Sequence, residues 1–261
     1  MTRTLRGLPA WSLTMTAFLS GITAPLGSAA QGQEIPFDEA DVFAELNDTD
    51  GDLGFHALID GEAWDRLVLE APNGRTILRV RPSRSLGQQG LTEIFFESDE
   101  PGFDELAPEE FFERFPEGDY EISGRTIEGD ELESTARFSH RLAAPPGGIE
   151  VSGIAIDPEL VDCEGPLTLV PTPVTISWDP VTRSHPELGR TDERIRVANY
   201  QLVVEREEPE LLVYSVDLPP SVTELEVPAG FIELGQEFKF EIVVRARNGN
   251  LTAVESCFAV E

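Results

Sequence analysis

At 261 residues, 40% of them hydrophobic, the chain is long enough for two domains of ordinary size and too apolar to be disordered. Its 49 acidic residues against 19 basic ones give a formal charge of −30, which excludes nucleic acid as a partner because phosphate binding needs a basic stripe. Acid is spread along the whole length, as a solvated and self-repelling surface would have it.

The N-terminus reads as a signal peptide over residues 1–30. Arg3 and Arg6 make a basic start, Trp11 to Ile22 a short apolar stretch, and Ser28-Ala29-Ala30 a small-residue exit before Gln31. That stretch is too short and too polar for a membrane span, and no Cys follows it to carry a lipid. The expectation is an exported protein, secreted or periplasmic. Removing residues 1–30 takes away two Arg and no acid, so the charge becomes −32.

Residues 31–39 are polar. A β-rich domain is expected over 40–142. Val42 to Leu46 and Phe55 to Ile59 are strand candidates around an acidic turn, and Leu67-Val68-Leu69 and Thr76 to Val80 flank an Asn73-Gly74 hairpin signal. Leu91 to Glu97 is a further strand. Pro108 to Phe115 reads as one short helix, with Pro early, Glu109 and Glu110 in its first turn, and Phe111, Phe112 and Phe115 on one side. Pro116 stops it. Asp119 to Ser123 and Leu132 to Phe138 form a hairpin. The run Ala143 to Gly148, A-A-P-P-G-G, is a linker composition, because Pro and Gly together exclude regular structure.

A second domain follows over 149–261. Its strands alternate apolar and polar residues: Val174, Ile176 and Trp178; Ala198, Tyr200, Leu202 and Val204; Leu212, Tyr214, Val216 and Leu218; Leu225 and Val227. The longest holds Phe238, Phe240, Ile242, Val244 and Ala246. A period of two buries one face, and several such strands in one domain length mean an antiparallel sandwich or barrel. The polar stretch 179–194 is a long loop containing His185.

I-S-W-D-P-V at 176–181 resembles the second strand of a fibronectin type III domain, with its core Trp. N-Y-Q-L-V-V-E at 199–205 is similar to that family's third strand, and L-G-Q-E-F-K-F-E-I-V-V-R-A-R-N-G-N at 234–250 to its sixth. Phe240 stands where the family has a Tyr whose hydroxyl bonds back to the backbone. The resemblance covers the last third of the chain. It implies a fold class that is all-β: a β-rich domain with one short helix, then a fibronectin type III-like antiparallel β-sandwich. It does not imply a ligand, because this sandwich carries many functions.

The two Cys, Cys163 and Cys257, are expected to form a disulfide, since an exported chain passes through an oxidising compartment. In the fibronectin type III strand order the first and last strands run close together, which brings these two within bonding range.

The most conspicuous polar cluster is N-D-T-D-G-D at 47–52. Asp48, Asp50 and Asp52 have the alternate spacing that supplies oxygen ligands to Ca²⁺. An EF-hand match fails, since the sixth position from Asp48 is Leu53 and the twelfth Ile59. Two readings stay open: a calcium loop, and an acidic turn of residues that favour turns. Of the three His, His56 falls within a strand and His140 at the end of another, and none has metal-ligand spacing. No nucleophile elbow or phosphate loop is present in the sequence.

The reading is a non-catalytic exported protein that binds or adheres, through an unknown protein or glycan, at the cell envelope or outside, with no cofactor unless calcium. The alternatives are a small extracytoplasmic carbohydrate-active hydrolase and a calcium-dependent binding module.

Overall fold

The computed structural model describes residues 34–158 and 163–261, and the expected signal peptide lies outside them. The chain starts with β1 (Glu34–Ile35) and β2 (Glu39–Asn47), then turns back as β3 (Asp52–Glu70), a strand of 19 residues. The two strands expected at 55–59 and 67–69 are therefore one. It bends around Gly61, and its pairing register shifts between Asp60 and Trp64. A side chain at Gly61 would meet the Phe37 ring at 3.0 Å, so a glycine is what lets strand and ring approach.

This half is completed by β4 (Thr76–Val80), α1 (Arg84–Gln89), β5 (Leu91–Glu97), α2 (Pro108–Arg114), β6 (Gly118–Thr126) and β7 (Glu131–Phe138). Before the bend, β3 lies between β2 and β5; after it, between β4 and β6. One bent strand thus serves two layers, and Phe55, Trp64, Phe111, Tyr120 and Phe138 fill the space between them. Helix α2 is the expected one, with Pro108 in its first turn and Phe111 buried. Helix α1 was not expected. It buries no residue and contains Gly87, so it has no apolar period for the sequence to display.

The second half contains β8 (Glu150–Val151), β9 (Ile154–Ala155), β10 (Leu169–Val170), β11 (Thr175–Ser177), β12 (Val197–Arg206), β13 (Leu212–Leu218), β14 (Glu224–Glu226), β15 (Glu237–Ala246) and β16 (Leu251–Val260). One sheet runs β16-β15-β12-β13, and the other β14-β11-β8-β9. Together they make a fibronectin type III-like antiparallel β-sandwich. Trp178 lies between the sheets, edge-on to Tyr200 with ring centroids 5.4 Å apart.

The halves share a sheet. Strand β16 runs parallel to β2, pairing Leu251 with Glu45 and Ala253 with Asn47, so one layer continues from β5 and β3 through β2 and β16 to β13. The described residues form one compact unit. The segment 143–148 marks the passage between cores: Leu142 is buried in the first and Ala143 in the second. The Thr252 hydroxyl donates to the Ala143 carbonyl at 3.1 Å across this passage.

Candidate functional site

Alternation along β2, β16 and β15 sends both cores to one face of the shared sheet and a second set of side chains to the other. On that outer face Phe43, Val243, Leu251 and Ala253 form a small buried apolar cluster of their own. Acids surround it. Glu45 and Glu255 stand on β2 and β16, and Glu241 on β15 lies directly across from Glu255. Glu205 on β12 adds a further charge beside Glu241.

His56, on the same face of β3, is buried and stacked on Phe43 at 5.2 Å. Its Nε2 is 2.9 Å from Glu100 Oε1, while Nδ1 faces Glu45 Oε2 at 3.8 Å without a hydrogen-bond partner. Gly54 makes this arrangement possible. A Cβ there would overlap the Glu100 carboxylate and lie 2.6 Å from His56 Nε2. The absent side chain is the slot in which Glu100 crosses the strand.

Crowding among these acids has a chemical consequence. Burial pushes the Glu241 carboxyl up to about 7, and the charges of Glu255, Glu45 and Glu205 add to the effect. Burial also raises Asp52 to about 6, helped by Glu100 and Asp50. Glu255 is raised by burial and by Asp50, and Glu45 is raised by burial although His56 opposes it. The face therefore holds exchangeable protons near neutral pH and sets crowded acids around a buried apolar cluster.

The acidic turn at 47–52 borders this face, docked onto β16. Asn47 Nδ2 donates to Glu255 Oε1 at 2.9 Å, and the Glu255 N–H donates to the Thr49 hydroxyl at 2.9 Å. The three candidate calcium ligands go different ways. Asp48 Oδ1 takes a hydrogen bond from His185 Nε2 at 2.8 Å, Asp50 Oδ2 accepts from Asn47 Nδ2 at 3.1 Å, and Asp52 pairs with Asn47 in the ladder. Among the described residues no group of three or more His, Cys, Asp or Glu is arranged to hold a metal ion.

Cys163 and Cys257 are joined, with Cα atoms 5.7 Å apart. The expected pairing is the one the fold contains. Sequence reasoning missed the partnership of His185 with Asp48 and that of Glu241 with Glu255. The first joins residues 137 apart, and no local pattern announces it. The second was visible only as outward-facing acids on two separate strands.

No protein-family model matches the chain, and no curated protein matches it. Among solved structures it is similar to a two-domain fibronectin type III segment from chicken tenascin, at 12% identity and a TM-score of 0.30, covering 85% of this chain and 98% of that one. The chicken CNTN1 FN1–FN3 domains match at 8% identity and a TM-score of 0.32, over 88% of this chain and 66% of theirs. A tetra-tandem repeat from the extending region of a large adhesion protein matches at 10% identity and 0.27, over 85% and 50%. Likenesses this remote bear on neither ligand nor activity.

Proposed function

We propose that this protein is an exported, non-catalytic binding module that engages a cationic protein or glycan at the cell envelope or outside. The observation that carries the reading is the outer face of the shared sheet, where Phe43, Val243, Leu251 and Ala253 are ringed by Glu45, Glu241 and Glu255. Carboxylates crowded over a buried apolar support concentrate negative charge on this face, which favours a positively charged partner. A sheet stitched across two cores holds such a face rigid, which reduces the ordering entropy of binding. The disulfide supports an oxidising destination.

The test is capture by the immobilised chain beginning at Gln31, against envelope fractions and a glycan array. A partner retained by this chain and lost from a Glu45→Gln, Glu241→Gln, Glu255→Gln triple variant supports the proposal. Retention of nothing, or equal retention by the variant, ends it. A calcium-dependent form of the reading would use Asp48, Asp50 and Asp52. Since Asp48 is held by His185, calcium titration followed on the His185 ring resonances tests that form directly.

A second reading, a small carbohydrate-active hydrolase, draws on the Glu241–Glu255 pair. Directly opposed residues on antiparallel strands have Cβ atoms about 4.5–5.5 Å apart, and a carboxyl at about 7 beside a second carboxyl is the pairing that acid-assisted glycoside cleavage employs. Release of reducing ends from polysaccharide, abolished by Glu241→Gln, would favour it.

A further inference from the structure

Where the outer face of the shared sheet meets the junction of the two halves, the charge reverses. A groove of about 820 Å³ is bordered by Arg137 and Arg141 from β7 and the segment after it, Arg190 from the loop before β12, Arg245 near the end of β15 and Arg247 in the turn that follows. An adjoining hollow of about 390 Å³ shares Arg141 and Arg247 and adds Arg194 and Arg196. The floor of the larger groove includes Ala136, Ala198 and Ala246. In a chain with 49 acids and 19 basic residues, so many guanidinium groups in one place is the opposite of what the composition favours.

Some of these arginines have protein partners. Arg137 pairs with Asp119 at 2.9 Å, Arg141 with Glu193 at 3.3 Å, and Arg190 with Glu193 at 2.6 Å and Glu117 at 3.8 Å. Arg194, Arg196, Arg245 and Arg247 make no ion pair among the described residues, and Asp41 is the further acid on the groove wall. Their placement is mutually repulsive. The Arg247 N–H donates to the Arg196 carbonyl at 2.9 Å, which sets two like charges on neighbouring chain segments, and Arg247 follows Arg245 in the turn just past the end of β15. The nearby charge of Glu45 offsets Arg245 in part, and no ion pair among the described residues neutralises Arg196 or Arg247. An anion in the groove would do so.

We propose that this groove binds a compact ligand carrying two or more oxyanion groups, carboxylate or phosphate. Three considerations fix the class. Guanidinium presents a planar fork of donors that matches both oxyanions bidentately. The volume is that of a metabolite-sized site rather than a lone ion, since small-molecule pockets run about 300–1,000 Å³. The ligand is compact because the rest of the surface is strongly negative. At physiological salt charges are screened beyond about 8 Å, so a small anion feels the arginines around it, whereas a long polyanion also meets the acids outside.

The experiment is calorimetric titration of the chain beginning at Gln31 with citrate and, separately, pyrophosphate, at low salt and again near physiological salt. The two arms distinguish a carboxylate from a phosphate source. Binding of either that weakens with salt is expected, together with at least a tenfold loss in Arg245→Ser/Arg247→Ser. The control is Arg75→Ser/Arg79→Ser, which removes the same charge from exposed positions elsewhere and should leave affinity unchanged. Circular dichroism and melting confirm that both variants fold. Binding of neither probe overturns the proposal, as does an equal loss in the two variants. Tighter binding of polygalacturonate or poly-glutamate than of both compact probes also overturns it, since that would make the groove a reader of extended polyanions.

Discussion

Asn250 and Ala44 are 206 residues apart in the chain, yet the Asn250 side-chain oxygen accepts the Ala44 backbone N–H at 3.0 Å. The Asn250 amide donates in turn to the carbonyls of Ser139 at 2.7 Å and Arg141 at 3.2 Å. One fully buried side chain thereby ties β2, the exit from β7 and the turn before β16 into a single junction. A buried polar group without a partner is destabilising, and at this junction the Asn250 amide supplies the partners.

Asn250→Ala should therefore be among the most damaging substitutions in the chain. Each buried group left unsatisfied costs about 1–3 kcal/mol, and the variant leaves the Ala44 N–H and the Ser139 carbonyl exposed to that penalty. Asn250→Asp keeps the acceptor but loses both donors and buries a charge, so it should do no better. Urea denaturation measures both. A loss below about 0.5 kcal/mol, the scale of an ordinary surface change, would mean the junction does not depend on this amide.

Stability should rise as pH falls from about 8 towards 5. A carboxyl whose value is raised in the fold binds its proton more tightly folded than unfolded, so its penalty is present above the folded value and disappears below it. For Glu241 the window runs from about 7 down to the ordinary 4.5, and for Asp52 from about 6 down to 3.8. Glu45 and Glu255 have the same sign. Glu193, held low by Arg190 and Arg141, acts oppositely and loses its contribution only in more acid solution. General self-repulsion also eases as acids protonate, so the diagnostic is Glu241→Gln. It should flatten the melting curve against pH and raise the melting temperature at pH 8. An unchanged profile would count against the burial of Glu241.

The two cores should unfold together. Trp64 reports on the first and Trp178 on the second, and the remaining Trp11 lies within the expected leader. In single-tryptophan versions of the chain from Gln31, both emissions should change at one urea midpoint, because β2–β16 pairing and the Asn250 junction cross between the cores. Reduction should move that common midpoint downward. The bond closes a separation of 94 residues, for which chain entropy gives about 4–5 kcal/mol. Two separated midpoints would show that the shared sheet does not couple the halves.

Much of the second half was legible because its strands keep a strict period of two and its core residues are large. Trp178, Tyr200 and Phe238 fall where alternation places them. The disulfide was legible from the expected compartment and strand order. What the sequence concealed depends on distant contacts. Glycine at 61 looks like a strand breaker, and only the Phe37 ring beside it explains why the strand continues. The expected corner at Phe240 has a counterpart elsewhere: the Tyr120 hydroxyl donates to the Pro116 carbonyl at 3.1 Å, four residues upstream, in the first half. The arginine groove was illegible for a similar reason, since its arginines come from three separate stretches of chain.

The last prediction concerns the contact that joins the loop 179–194 to the acidic turn. His185 Nδ1 accepts two backbone N–H groups, from Glu187 at 3.1 Å and Leu188 at 2.9 Å. A nitrogen that accepts two donors carries a lone pair, so the ring proton resides on Nε2, which donates to Asp48 Oδ1 at 2.8 Å. The ring is buried while Asp48 is partly open to water. Removing the two residues should therefore have unequal effects. His185→Ala strips the acceptor from two N–H groups inside the loop and should destabilise by about 1–3 kcal/mol. Asp48→Asn retains a carbonyl oxygen to accept from Nε2, and the side chain is partly open to water, so the loss should stay within about 1 kcal/mol. Long-range proton–nitrogen correlation of the imidazole reads the tautomer without any substitution. A protonated Nδ1, or a larger loss from Asp48→Asn than from His185→Ala, would mean that the loop is held by the ion pair rather than by the ring's grip on its own backbone.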